Sequence, residues 1–164
     1  MLHVRPATES DIPAIQQIAY DSWPATYGQI LSQAQIDYML ELMYNFNILK
    51  AQMTQTQVFC LALHNEQPLG FVAYEVNYQS SSSTKIHKIY ILPQVQGQGV
   101  GKMLLGTAEE AARKQANNAL VLNVNKFNKA VLFYERVGFQ QVRNEIIELG
   151  NGYVMDDFVM QKNL

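Results

Sequence analysis

Cysteine is almost absent. The 164-residue chain has one, Cys60, so no disulfide can close within it, and a reducing cytoplasm is the expected compartment. Its neighbours Val58, Phe59 and Leu61 are apolar and predict a buried strand position, not a reactive thiol. No hydrophobic run reaches the length that spans a bilayer, and Met1-Leu2-His3-Val4-Arg5 lacks the apolar stretch of a secretory leader. An excess of either charge is missing too. Twelve Lys and Arg against 14 Asp and Glu leave a formal charge of −2, which gives no electrostatic reason to expect nucleic acid or an acidic membrane as partner. The histidines and carboxylates show no metal-ligand spacing, so no metal is expected, and no G-x-S-x-G elbow supports a serine hydrolase. What is present is 48% hydrophobic and 16% charged residues, a balance that builds a core and argues against disorder. The length suits a single domain over 1–164.

Periodicity and breakers give an element order. Leu2–Arg5 reads as a strand. Ser10 or Asp11 starts a helix with Ile12, Ile15, Ile18 and Ala19 on one face, ended by Trp23-Pro24, with a loop from Ala25 to Leu31. Ser32 caps a second helix carrying Ile36, Met39, Leu40 and Met43, and a short third one falls within 47–53. Strands at 57–63 and 69–78 are joined by a turn at His64–Pro68, and Ser80–Ser83 is a polar loop before a strand at Lys85–Leu92. Ala119–Val124 is almost unbroken apolar sequence, as in a strand covered on both faces. Asn128–Val137 reads as a helix closed by Gly138, and 139–149 with 153–160 as a hairpin around Gly150-Asn151-Gly152.

Gln96-Gly97-Gln98-Gly99-Val100-Gly101-Lys102 stands between a strand and the amphipathic helix that runs to about Asn117. Glycines there let several backbone N–H groups converge on one oxyanion, and the helix adds the positive end of its dipole. The spacing excludes two common phosphate binders. A P-loop needs glycine at position 96 and Ser or Thr at 103, where this chain has Gln96 and Met103. A dinucleotide G-x-G-x-x-G turn would put its third glycine on Lys102 or Leu104.

Gln96-x-x-Gly99-x-Gly101 resembles the Q/R-x-x-G-x-G/A turn of the GNAT N-acetyltransferase superfamily, and His87–Pro93 is similar to the strand that precedes it there. Asn123–Phe139 resembles the family's N-x-x-A-x-x-F-Y-x-x-x-G-F segment, while Val4–Thr8 and Tyr153–Met160 are similar to its opening and closing strands. Segments 22–27 and 152–158 look like a bacterial branch that includes polyamine acetyltransferases. The resemblance implies an α/β (α+β) GNAT fold: a mixed, mostly antiparallel sheet of about seven strands, flanked by about four helices and splayed at strands 4 and 5. It implies acetyl-CoA as cofactor and direct transfer of an acetyl group to a primary amine, small molecule or peptide. The alternatives are a non-catalytic acyl-CoA-binding regulatory module and a protein N-acetyltransferase. The edge of the last strands would suit a homodimer.

Site residues follow from the same resemblance. Gln96, Gly97, Gln98, Gly99, Val100, Gly101 and Lys102 are expected on the coenzyme's pyrophosphate. The main chain of Ile89, Tyr90 and Ile91 and the side chain of Asn128 are expected on the pantetheine arm, although Asn128 also suits a helix N-cap. Tyr134 is placed to protonate the departing thiolate, against the plain reading of a core aromatic. His87 is the expected base, since a free alkylamine arrives protonated at neutral pH. Alternation would put it on the face of Lys85, Ile89 and Ile91, but it lies roughly 13 Å from Ile91 at about 3.3 Å per residue, which calls for a water relay. Glu75 is the reserve base. Trp23, Tyr27, Tyr38 and Tyr153 are candidate walls of the acceptor pocket, with Asp37, Glu41, Asp156 and Asp157 as candidate cation holders.

Overall fold

The computed structural model describes residues 1–164 and is built on one seven-stranded sheet. Its strands are β1 (Leu2–Pro6), β2 (Val58–His64), β3 (Gln67–Glu75), β4 (Ser83–Ile91), β5 (Ala119–Asn125), β6 (Gln140–Gly150) and β7 (Tyr153–Asn163), in the spatial order β1-β2-β3-β4-β5-β7-β6. All neighbours are antiparallel except β4 and β5. Five α-helices flank it: α1 (Ile12–Tyr27), α2 (Gln33–Tyr44), α3 (Phe46–Thr54), α4 (Val100–Lys114) and α5 (Ala130–Arg136). The short 47–53 helix is therefore real. Asn45 starts it by accepting the Ile48 N–H on its side-chain oxygen at 2.9 Å.

The sheet divides two cores. On one face α1–α3 enclose Trp23, Tyr44, Phe59, Phe71 and Ala73; on the other α4 and α5 enclose Val72, Ile86, Leu104, Leu122 and Tyr134. Helix α1 runs on through Pro24 for another turn instead of stopping there. The proline costs one N–H donor, and burial of Trp23 at 1% exposure, with Tyr27 at 5%, outweighs that loss. The next turn is closed by the Gly28 N–H on the Pro24 carbonyl at 2.9 Å. The hairpin between β2 and β3 is tighter than His64–Pro68: Asn65 and Glu66, both at positive φ, make a two-residue turn.

Two irregularities in β4 shape the middle of the molecule. Ala73 faces Lys88 across the β3–β4 ladder and Tyr74 faces Ile86, so His87 is an extra, bulged residue. The parallel ladder to β5 is short. It pairs Ser83 to Ile86 with Ala119 to Leu122 and goes no further, although both strands continue. Beyond that point β4 keeps only β3 and β5 keeps only β7, leaving a wedge-shaped opening through the sheet.

Candidate active site

The opening belongs to a cavity of about 1140 Å³. Its walls are the second half of β4, the glycine turn, the start of α4, Asn123 and Val124 of β5, the loop into α5, and the C-terminal turn of α1. The Leu92 N–H bonds the Leu69 carbonyl at 2.9 Å, which fixes the phase of the antiparallel ladder. Lys88 and Tyr90 therefore point their backbone groups at β3, and Ile89 and Ile91 turn theirs into the opening.

At the end of the cavity, Gly97 and Gly99 take φ of +80° and +85°, and a Cβ on either would meet nothing within 4 Å. The N–H groups of Gly97, Gly99, Val100, Gly101 and Lys102 have no acceptor within the protein. No acidic residue sits in the first turn of α4. Five free donors, a helix dipole and open space above two glycines fit a pyrophosphate. Gln98 departs from expectation: its N–H bonds the Val95 carbonyl at 3.4 Å and it does not line the cavity, because the turn needs that bond to close. Gly101 has a different reason to be small, since a Cβ there would lie 2.9 Å from Ile91 Cδ1 where α4 crosses β4. Lys102, Lys129 and Arg136 also line the cavity, and Lys102 and Arg136 border an adjoining hollow of about 470 Å³. Arg136 carries no sequence signal beyond its place in α5.

Tyr134 is 7% exposed, lines the cavity, and its hydroxyl makes no hydrogen bond within the protein. Burial pushes its pKa well up, so it stays protonated and keeps a proton to donate. Asn128 serves as a cap, accepting the Ala130 N–H at 2.8 Å, while its amide NH₂ has no protein acceptor and the residue lines the cavity.

The bulge corrects the expected face of His87. Ile89 and Ile91 pack on the α4 side, whereas His87 shares the α1–α3 side with Lys85, Lys88 and Tyr90. There its Nε2 lies 3.0 Å from Glu75 Oε1. A carboxylate only accepts, so Nε2 carries the proton and Nδ1 is the basic nitrogen. Burial lowers the His87 pKa below the usual histidine value, and the Glu75 hydrogen bond works against that fall. Glu75 is thus a partner of His87 and does not line the cavity itself.

Of the expected acceptor walls, Tyr27 alone lines the cavity, with its hydroxyl 2.9 Å from that of Tyr90. Trp23 is core, wedged against Tyr27, Tyr44 and Tyr90. Tyr153 and Tyr38 pack against each other away from the cavity, their tilted rings 5.2 Å apart, and the Tyr38 hydroxyl donates to the Leu149 carbonyl at 2.7 Å, which pins the last hairpin to α2. None of the four carboxylates lines the cavity either. Asp37 accepts from Gln33 and Asp156 pairs with Lys126, because each found a nearer partner on its own surface; Glu41 is exposed on α2. Asp157 is buried behind Asn123, with one oxygen unpartnered, and burial pushes its pKa up to about 6.

Comparison with known proteins agrees with this geometry. The family model described as an acetyltransferase (GNAT) domain matches residues 29–158, and the chain belongs to that family of N-acetyltransferases. Acetyl-CoA is its cofactor. An uncharacterized N-acetyltransferase of Methanocaldococcus jannaschii is 37% identical over 82 residues, which are 47% of this chain and 36% of that protein. The spermidine N(1)-acetyltransferase of Thermoplasma acidophilum is 23% identical over 98% of this chain and 96% of its own length. The crystal structure of PaiA N-acetyltransferase from the same organism, in complex with coenzyme A, superposes with a TM-score of 0.85 at 22% identity, covering 100% of this chain and 99% of that one.

Proposed function

We propose that the chain, acting over residues 1–164 as one domain, transfers the acetyl group directly from acetyl-CoA to a primary amine while both are bound. The observation that carries this reading is the opening beyond Ile86 and Leu122, with free backbone groups of Ile89 and Ile91 on one side and an unpartnered Tyr134 hydroxyl in the same cavity.

When bound, acetyl-CoA supplies a thioester whose acyl carbon the amine attacks, with release of the thiol. The glycine turn holds the pyrophosphate on the N–H groups of Gly97 and Gly99 to Lys102. The main chain of Ile89 and Ile91 positions the pantetheine arm and polarises the acyl carbonyl, and the Asn128 amide steadies the arm from the other side of the opening. His87, through Nδ1 and a water, takes the proton that the ammonium must lose before it can attack. Tyr134 gives a hydrogen bond or its proton to the leaving sulfur. Buried and held neutral, its phenol suits that one task. The single, enclosed thiol of Cys60 suits a cytoplasmic setting, and the unpaired edge of β6 is where a second copy would add a strand.

Thiol release from acetyl-CoA with a panel of amines tests the reading. Tyr134→Phe is expected to lower kcat by roughly 10²-fold, with coenzyme A affinity by calorimetry little changed. Unchanged turnover in that variant would remove Tyr134 from the mechanism.

A further inference from the structure

Met155 packs in the α1–α3 core, so Asp157, two residues on, shares that face of β7. Asn125 of β5 and Glu145 of β6 stand opposite it in the two ladders. Asp157 is 5% exposed. Its Oδ2 receives the Asn123 amide at 3.4 Å, and its Oδ1 has no partner. Asn123 is itself a wall of the cavity. Tyr27, a second wall residue, comes from α1: burial pushes its pKa up to about 12, and the negative charge of Asp157 adds to that rise. The carboxylate thus lies one side chain behind the cavity, within reach of two of its walls.

Nothing inside the protein fully answers that charge. Lys85 of β4 donates to Asn123 Oδ1, so it meets Asp157 only across the amide. The Asn123 nitrogen also lies 3.5 Å from Glu145, whose other partner, Arg143, is exposed and screened by water. Asp156, the neighbour on β7, is taken by Lys126. Around Asn123, then, two carboxylates stand against one enclosed ammonium. Burial pushes the Asp157 pKa up to about 6, with Glu145 and Asp156 adding to the rise and Asn123 and Lys85 opposing it. The group is still mostly ionised at neutral pH. A buried, half-partnered carboxylate is costly, and a cation brought against Asn123 would relieve that cost. The amine arrives as such a cation on this same face, where His87 stands to take its proton.

Resting on the proposed transfer reaction, we propose that Asp157 is a positioning residue for the acceptor, acting through Asn123 to draw the ammonium ion to the α1–α3 side of the opening and hold it there for His87. The acceptor class this favours is an alkylamine, cationic at neutral pH, over an arylamine that enters uncharged. Asn123 separates the carboxylate from the cavity, so the charge acts on the wall without being surrendered to water.

Asp157→Asn keeps the shape and removes the charge. With the best acceptor among propylamine, phenylethylamine and putrescine, the variant's amine KM is expected to rise roughly tenfold at neutral pH, with kcat and coenzyme A affinity little changed. The ratio of variant to wild-type KM should fall toward one as the pH drops through about 6, where the wild-type carboxyl takes up its proton. Because folding raises this pKa, ionisation costs the native state stability as the pH climbs through about 6, and the variant escapes that cost. Its urea midpoint at neutral pH should therefore hold or rise. A variant that loses urea stability and coenzyme A affinity together would reduce Asp157 to a folding role and overturn the inference. Equal amine KM in the two proteins, or a ratio that stays constant across pH, would overturn it while leaving the transfer reaction intact. Failure of every amine to react strikes the proposed function instead. Calorimetry on the coenzyme A-loaded protein then decides separately: weaker binding of putrescine to Asp157→Asn than to the wild type supports the inference, and equal binding or none ends it.

Discussion

Among single residues, the pair of His87 and Glu75 has the most to say about pH. A base must be neutral to take a proton, and burial lowers the His87 pKa, so activity should persist to lower pH than an exposed histidine would allow. Glu75 works in the opposite direction, raising that pKa through its hydrogen bond and charge. Glu75→Gln removes the charge, so the acid limb of kcat/KM should move to still lower pH, and the plateau should fall several-fold because a weaker base accepts protons less readily. A displacement to higher pH, measured against the wild type in one buffer series, would sink the pairing. Gly99, Asn128 and Tyr134 were singled out by the family resemblance of their motifs, and all three line the cavity. The partnership with Glu75 was not legible in the sequence. It depends on a single inserted residue in β4, and a one-residue bulge leaves no mark on an alternation that already mixes Lys, Ile and His. Trp23 and Tyr153 misled for a related reason: an aromatic near a presumed pocket reads the same whether it faces the pocket or the core.

Among elements, β4 and α4 depend on glycines in opposite ways. A Cβ at Gly70 of β3 would lie 2.9 Å from the Tyr90 carbonyl oxygen and 3.3 Å from side-chain atoms of Ile91 and Leu104. Backbone cannot move aside as a side-chain tip can. Gly70→Ala should therefore cost about 1–3 kcal/mol in urea unfolding, and should disturb the strand that lines the opening. Gly106, inside α4, has nothing within 4 Å of its missing Cβ. Gly106→Ala should stabilise by about 0.5–1 kcal/mol, since alanine loses less entropy in a helix. Equal shifts in the two variants would mean that neither the space around the Cβ nor helix entropy sets the effect. Most element limits were legible because the breakers are strong. Pro24 was one exception, as tertiary burial of Trp23 and Tyr27 carried the helix past it, and the strand expected at 69–78 was another, since β3 runs only over Gln67–Glu75.

In the whole molecule, the sheet consists of two antiparallel blocks, β1–β4 and β5–β7, joined by four parallel register pairs. The sequence pointed to a splay only through family resemblance. Ala119–Val124 is apolar enough to suggest a fully paired central strand, and pairing is a property of the neighbour as much as of the strand. A molecule so thinly stitched at its midline has its weakest cohesion where the cavity opens. Coenzyme A bound as proposed would span both banks and act as a suture, and a concentration of about 100 times Kd would add roughly 2.7 kcal/mol against unfolding. Limited proteolysis should be slower with coenzyme A present, and equal rates would mean that the two blocks hold together unaided. The lifetime of this chain would then follow the supply of coenzyme, with starved protein cleared first and loaded protein spared.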